Sequence, residues 1–462
     1  MERCDLLVVG GGPAGLAGAL QARELGLSVV VLDDNGSPGG QIYRNVDGLA
    51  PIVRTVLGKT YQGGSALVRQ VRDAGLDIRC NATVWHVSPD KVVHYLRDGE
   101  LGELKAGAIM VATGAMERPF PVPGWTLPGV MTAGAAQIAM KAGAAIPQGR
   151  IVLAGCGPLL YLVASQLIGL GADIEAILDT TPRRNYWKAV RHARFGPAGF
   201  LQILDGLKML RKISARRIRH VKSLEIVGEG KAECIVFTAA GRSETIAADC
   251  FLLHHGVVPN VQLLRHLGCE FAWSEAQACF LPRLDRNWRT SVPGIYAVGD
   301  NARIMGADAA RLCGRLAAFA AAADLSRKTD GNAEAALGRA FSKADAIRPF
   351  LDALYRPAAR FRLPDRQTVA CRCESVTAGE ISDLAGSGCL GPNQAKFFSR
   401  CGMGPCQGRN CGLTVTELFA AASGRSHDEI GYYNVRSPIR PLPMDALARM
   451  KTEGVSNDVE FS

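Results

Sequence analysis

The apolar positions of this chain gather in short runs, broken only by Glu175. Residues 6–9, 29–32, 109–111, 151–154, 174–178 and 295–298 are such runs, the pattern of strands buried on both faces of a parallel sheet. Between the first two lies Gly10-Gly11-Gly12-Pro13-Ala14-Gly15, followed by helix-forming residues. The opening therefore reads as strand, tight turn, helix, strand, and residues 151–179 repeat that order. Residues 83–96 suit strands broken by Pro89-Asp90 as a hairpin-like turn, and the runs 221–227, 234–238 and 250–254 are expected to complete the second unit. Helical spacing marks residues 65–74, 195–210 and the alanine-rich stretch 307–325.

The first turn carries its glycines in G-x-G-x-x-G spacing, and each has a separate task. Gly10 permits the sharp turn, Gly12 lets a pyrophosphate approach the backbone, and Gly15 lets the helix sit close on the strand. The helix N-terminus beginning at Pro13 and Ala14 offers unpaired amides to that anion. Asp33, 18 residues beyond Gly15, is delivered towards a ribose hydroxyl. Gly39-Gly40-Gln41-Ile42-Tyr43-Arg44 reads as a loop open to close ligand approach, or as a plain turn. Ala112-Thr113-Gly114 offers small residues at a strand end, and Gly299-Asp300 an acid that can bind ribityl hydroxyls of a flavin. Since 295–298 belongs with the opening unit, the first fold is discontinuous and flanks an inserted second one. The second turn, Gly155-Cys156-Gly157-Pro158-Leu159-Leu160, has Leu160 at the third glycine position, which argues against a nicotinamide cofactor there.

Composition narrows the class. Among 462 residues, 48% are hydrophobic and 21% charged, as in a globular protein of several domains. No apolar run has the length of a membrane span, and the first strand begins too early for a leader, so a cytoplasmic chain is expected. The net charge of +10 is local: residues 183–222 hold twelve Lys or Arg against the single acid Asp205. Without interleaved stacking aromatics this is not a nucleic-acid binder. The segment reads as a docking surface for a partner subunit or an anionic membrane, or as a solvated face whose apolar side covers the second fold. The eight histidines show no metal spacing, and neither a nucleophile elbow nor a defensible acid–base pair is present.

Of 14 cysteines, six crowd between Cys371 and Cys411, which marks a local site and not a disulfide framework. Cys371-Arg372-Cys373 and the C-x4-C pair Cys406 and Cys411 offer four soft ligands in a glycine-rich setting, where backbone amides can turn to the sulfurs. A tight C-x-C without histidine favours iron-sulfur over zinc. Cys401 is surplus and can replace Cys406, while Cys389 reads as core.

The motifs at Gly10, Gly12, Gly15, Asp33, 112–114 and Asp300 resemble the two-dinucleotide-binding-domain flavoprotein reductases over residues 1–325. No C-x4-C lies near Gly39 and Cys156 is alone in its turn, which excludes the dithiols of the disulfide reductases and thioredoxin reductases. CRCE followed by GMGPCQGRNC resembles the BFD-type [2Fe-2S] module. Its fusion behind such a flavoprotein, with 39–44, 112–119, 128–131 and 436–441, resembles the A or alpha subunits of opine oxidases, D-hydroxyproline dehydrogenases and hydrogen cyanide synthase.

The resemblance implies an α/β chain of two Rossmann-like domains, glutathione-reductase-like, with a C-terminal BFD-like module. Its parts are 1–120 and 256–325 for the FAD-binding domain, 121–255 for the inserted NAD(P)-binding-like domain, a linker at 326–368, the [2Fe-2S] domain at 369–425 and a docking tail at 426–462. It implies FAD, or an adenine nucleotide alone, on Gly10, Gly12, Pro13, Ala14, Gly15, Asp33, Gly40, Gln41, Arg44, Val84, Ala112, Thr113, Gly114, Gly299 and Asp300. It assigns the cluster to Cys371, Cys373, Cys406 and Cys411, and FMN to the interface with a partner. The implied partners are an FAD-containing beta subunit, which oxidises the C–N bond of an amino acid or opine, and a small ferredoxin-like gamma subunit. This chain then passes electrons and needs no catalytic side chain, with contact at the inner face of a membrane as a further expectation. A self-sufficient NAD(P)H-dependent reductase and a structural scaffold are the competing readings.

Overall fold

The structure, a computed structural model, describes residues 1–449; the last part of the expected docking tail lies outside the described residues. Strand Glu2–Val9 is the centre of the first sheet. It pairs in parallel with Val29–Leu32 on one side and with Glu100–Val111 on the other, and Asp77–Arg79 continues the sheet beyond Val29–Leu32. Leu6, Leu7 and Val8 are completely buried, as their apolar run requires. On its other edge the long strand Glu100–Val111 serves two further partners. Residues 100–105 pair antiparallel with Val92–Arg97, whereas residues 109–111 pair in parallel with Ile295–Ala297. A strand from far along the chain thus finishes the first fold, and the helix Ala307–Asp324 packs on Pro13–Glu24.

The second sheet, unlike the mixed first one, is wholly parallel, in the order Arg216–Arg219, Asp173–Asp179, Arg150–Cys156, Cys250–His255, Val130–Thr132. Short antiparallel strands Ala115–Glu117 and Val257–Pro259 carry the chain out and back. Two runs expected to complete this unit do not join its sheet. Ser223–Val227 and Cys234–Ala239 form a separate antiparallel meander with Arg242–Ala247. Leu224 and Ile226 are buried while Ser223, Glu225 and Val227 are exposed, the alternation of a sheet wet on one face.

The stretch 326–368, expected to be a linker, contains the helices Gly331–Asp345, Arg348–Leu354 and Ala359–Arg362. Beyond it, Ala378–Gly386, Pro392–Ser399 and Gly412–Ser423 enclose a small core of Ile381, Val415, Phe419 and Tyr433. Thr377 and Glu380 start the first of these helices with a reciprocal capping box. The module sits on the first fold through Phe280 and Val258, and Trp273 stacks on His427 with ring centroids 3.8 Å apart. A buried ion pair between Arg362 and Glu417 ties it to the preceding helices.

Candidate functional site

Gly12 is the N-cap of the first helix, with φ −80° and ψ −178°, and no side chain caps the amides behind it. A Cβ added there would meet nothing closer than Gly40 Cα at 3.8 Å, whereas one added at Gly15 would lie 2.0 Å from Gly10 O. Gly15 is therefore a packing glycine, and Gly12 faces open space beside free N–H donors, the setting of a phosphate cradle. Gly10 needs its freedom on both counts: φ is +111°, and a Cβ would lie 2.4 Å from Ala112 O. The 39–44 loop forms the facing wall, with Gly40 against Gly12. Arg44 Nη2 donates to Asn35 Oδ1 at 2.6 Å and to Gln41 Oε1 at 3.2 Å.

Asp33 is 3% exposed. Its Oδ2 accepts from Gly11 N at 2.6 Å and its Oδ1 from Asn35 N at 2.8 Å. Burial raises its carboxyl above the ordinary range, against those hydrogen bonds. The carboxylate is thus fixed at the edge of the phosphate turn, where a ribose would sit. Val84 lies on Ala82–Val87 beside an irregularity in the ladder, and Trp85 O accepts from Ile439 N at 2.9 Å.

Ala112, Thr113 and Gly114 close the long strand against this turn. Asn301 Nδ2 donates to Thr113 Oγ1 at 2.9 Å and to Asn260 O at 2.6 Å, so the two crossing segments are locked together. A Cβ at Gly299 would come within 2.7 Å of Ala14 Cβ, which brings 299–300 to the same cleft. Asp300 Oδ1 accepts from Met305 N at 2.8 Å and Gly306 N at 3.1 Å; no described residue bonds its other oxygen. Burial raises this carboxyl too. Of the residues expected to hold a dinucleotide, those of 10–15, 33, 40–44, 112–114 and 299–300 thus come together, with a carboxylate at either end of an amide-lined turn, while Val84 is placed only on its own strand. The donor set fits an extended dinucleotide.

Sequence reasoning missed Lys141 and Asn301. Lys141 belongs to no motif along the chain, yet it is 4% exposed and donates to Gln41 O at 3.0 Å and Gln137 Oε1 at 3.1 Å. It steadies the 39–44 loop. Burial, helped by the neighbouring Arg44 charge, brings its ammonium down to about 8. Asn301 directly follows the Gly299-Asp300 pair, the one signal that could have singled it out.

The second turn is arranged differently. Leu160 is completely buried in its core. Asp179, at the ribose position, is engaged by the Tyr161 hydroxyl and by Thr181 N at 2.7 Å. Cys156 Sγ donates to Tyr355 O at 3.8 Å, and Asn185 Nδ2 to Leu354 O and Arg356 O at 3.0 and 2.8 Å. Residues 354–356 therefore rest against this end of the second fold. His254 Nδ1 lies 2.7 Å from Glu117 Oε1 in the same region, a buried pair that spacing along the chain did not disclose.

The cysteine loops meet in one corner. The sulfurs of Cys371, Cys401 and Cys411 lie within 4.8 Å of one another, all buried. Thiol hydrogen bonds from Cys401 and Cys411, and amides of Gly402 and Glu374, hold the Cys371 thiol well below its ordinary value. The Tyr433 hydroxyl donates to Cys401 Sγ at 3.3 Å, a partner that no spacing foretold. Cys373, exposed, and Cys406, half-buried, hydrogen-bond each other, and the Cys406 amide also faces Cys373. Cys389 stays in the core with its thiol donating to Gly391 O. Five thiols, two of them faced by backbone amides, fit a thiolate-held metal group. The loop bearing Cys406 is also tied to the nucleotide turn: Gln407 Nε2 donates to Pro438 O at 2.6 Å, and Arg440 Nη2 reaches Asp34 Oδ2 at 3.3 Å.

Known proteins match both parts of the chain. Residues 4–314 match the pyridine nucleotide-disulphide oxidoreductase family, and residues 369–450 match the sarcosine oxidase A3 domain. The A subunit of opine oxidase from Agrobacterium tumefaciens (strain Ach5) is 42% identical over 96% of this chain and 92% of its own length. The HcnB subunit of hydrogen cyanide synthase from Pseudomonas aeruginosa is 32% identical over 97% of this chain and 99% of its own. Among solved structures, L-proline dehydrogenase from P. horikoshii superposes with a TM-score of 0.73 at 19% identity, over 97% of this chain and 80% of that one.

Proposed function

The chain belongs to the family of opine oxidase A subunits, within the pyridine nucleotide-disulphide oxidoreductases, and on that premise we propose that it is the electron-transferring subunit of a heteromeric amine-oxidising flavoenzyme. Its substrate class is an opine or related secondary amine, whose C–N bond is oxidised on a partner FAD subunit. The single observation that carries this reading is the tie between the two sites. The Cys406 loop rests on the 438–440 segment, and Arg440 bridges it to Asp34 beside the ribose-reading Asp33.

When bound, FAD and a [2Fe-2S] cluster supply the exchange of electron pairs and single electrons. The chain's own residues bind and orient. The amides behind Gly12 take the pyrophosphate, Asp33 faces a ribose, and the free oxygen of Asp300 faces the ribityl hydroxyls. Lys141 and Arg44 hold the 39–44 wall in place, and backbone amides at Gly402, Glu374 and Cys406 offset negative charge on the sulfurs. We assign the cluster to Cys371, Cys373, Cys406 and Cys411. Exposed Cys373 and half-buried Cys406 contribute little as core hydrophobes, and the Tyr433 hydroxyl, which donates to Cys401 Sγ at 3.3 Å and accepts from Cys411 Sγ at 3.9 Å, gives Cys401 a partner besides the other thiols. A small ferredoxin-like subunit, and FMN where the two large subunits meet, complete the proposed assembly.

The test is reconstitution. This chain and its FAD-bearing partner should co-purify, and opine-dependent dye reduction should need both. NADH added to this chain alone should leave its flavin absorbance unchanged, in keeping with Leu160 and with residues 354–356 resting on the second turn. Bleaching by NADH would favour the self-sufficient reductase, and full turnover by the partner alone would leave this chain a scaffold.

A further inference from the structure

Arg265 lies on the short helix Gln262–His266, where it meets the C-terminal module. Its guanidinium carbon sits 4.2 Å from the Phe271 ring centroid, 4.4 Å from that of Tyr432 and 4.9 Å from that of Phe280. Its Nε and Nη2 are sealed from solvent and meet no acceptor, and among the described residues no carboxylate pairs with this side chain. Burial brings the guanidinium down to about 10, so at neutral pH it remains a cation. Three ring faces recover part of the lost hydration. A sealed charge held by rings alone is nonetheless costly, and donors left without an acceptor in a folded core call for a partner from elsewhere.

Beyond the Tyr432 ring lies the thiol site. The Tyr432 hydroxyl donates to Gly408 O at 3.4 Å, and a Cβ added at Gly412 would meet that hydroxyl at 2.2 Å. It therefore rests on the loop that bears Cys406 and Cys411, and Tyr432 feels both the guanidinium and these two thiols. Two other cations act on the cysteines, but each has a carbonyl of its own. Lys396 donates to Asn434 O at 3.3 Å and Arg409 to Cys406 O at 3.1 Å. Arg265 has none. Thiolates that hold a metal group carry net negative charge, and that charge deepens when the group gains an electron, so a cation fixed nearby favours the reduced form. On the cluster assignment made above, we propose that Arg265 supplies the counter-charge of the thiolate-held group: set one aromatic ring away, it stabilises the bound group and raises its reduction potential without hydrogen-bonding a sulfur.

The full chain, isolated anaerobically with its metal group, is titrated in the parent, Arg265→Met, Arg265→Gln and Arg265→Lys forms, and the reduced group is followed by electron paramagnetic resonance. In both neutral variants the ratio of reduced to oxidised group at a given potential should fall about tenfold, a midpoint about 59 mV lower for a one-electron couple. Arg265→Lys keeps the charge and should stay close to the parent. A chelator should also strip metal from the neutral variants about tenfold faster. Two neutral substitutions are used so that one folded protein suffices. Neutral variants with the parent's midpoint and the parent's rate of metal loss would make Arg265 a plug between aromatic rings and overturn the proposal. A lysine variant that behaves like the neutral ones would also overturn it, since packing and not charge would be the cause. Stoichiometric zinc would overturn the [2Fe-2S] assignment alone; zinc-bound thiolates are anionic too, and the chelator rates then decide on Arg265. Protein that holds neither metal would overturn both.

Discussion

Replacing Gly12 or Gly15 by alanine adds the same methyl group at two points of one turn, and the two variants are expected to fail in different ways. At Gly12 the backbone is extended and the added Cβ has 3.8 Å of clearance to Gly40 Cα. The empty protein then loses only the advantage of glycine over alanine at a helix N-cap, about 1 kcal/mol. The methyl nevertheless stands where phosphate oxygens would approach the amides, so nucleotide retention should fall. A ligand at a hundred times its dissociation constant stabilises a fold by about 2.7 kcal/mol, and Gly12→Ala forfeits that increment. At Gly15 the added Cβ lies 2.0 Å from Gly10 O, 3.1 Å from Val8 Cγ1 and 3.2 Å from Ala112 Cβ. Helix and strand must separate by about 1 Å, an overpacking cost of about 3 kcal/mol borne with or without ligand. Urea denaturation of stripped protein, with and without added FAD, together with chromatography of the nucleotide released on denaturation, distinguishes the two. Gly12→Ala should lie within about 1 kcal/mol of the parent when stripped and gain nothing from FAD; Gly15→Ala should be weakened in both conditions. A Gly12→Ala protein isolated with its full nucleotide complement would refute the phosphate cradle. Release of ADP or ATP in place of FAD would keep the cradle and refute the flavin.

Three further outcomes are expected. Lys141 is held near 8, against 10.5 when free, so between those values the unfolded chain binds more protons than the fold and stability rises with pH; below pH 8 both states are protonated and the full cost of the buried ammonium remains. Lys141→Met should abolish this rise, worth about 3 kcal/mol, in urea titrations compared at pH 8 and pH 10.5, and a parent–variant difference independent of pH would refute it. Glu417→Ala leaves the Arg362 guanidinium, 11% exposed, without its carboxylate and should cost about 3–5 kcal/mol, most of it recovered when both positions become leucine; denaturation midpoints of the parent and the two variants test this. Iron and sulfide analysis of anaerobically prepared protein should give about two of each per chain, kept in Cys401→Ser and lost in Cys406→Ser; stoichiometric zinc, or loss in Cys401→Ser alone, would overturn the assignment.

Sequence by itself determined the local units. The apolar run 29–32 is the strand Val29–Leu32, the helical spacing at 65–74 is the helix Gly64–Asp73, and 195–210 is Pro197–Arg211. These follow from periodicity and from glycines that only a tight, closely packed turn requires, and both are properties of adjacent residues. The return of 295–298 to the first fold was legible for the same reason, since an apolar run ending in Gly-Asp had one sheet to complete. Tertiary structure alone decided which distant segments meet. Arg216–Arg219 looks like part of a charged loop, yet it is a strand, because the exposed edge of Asp173–Asp179 supplies its hydrogen bonds while its arginines face water. Residues 223–239 leave the parallel sheet for a meander, and the buried pair Arg362–Glu417 joins segments that no local pattern relates. At the thiol site, spacing named the cysteine pairs and left Cys401 as a substitute for Cys406, whereas packing alone groups Cys401 with Cys371 and Cys411. That grouping is set by how three short helices pack and by Tyr433 arriving from the tail. Spacing along a chain measures the length of a loop, whereas the packing of what flanks it decides which side of the loop turns inward.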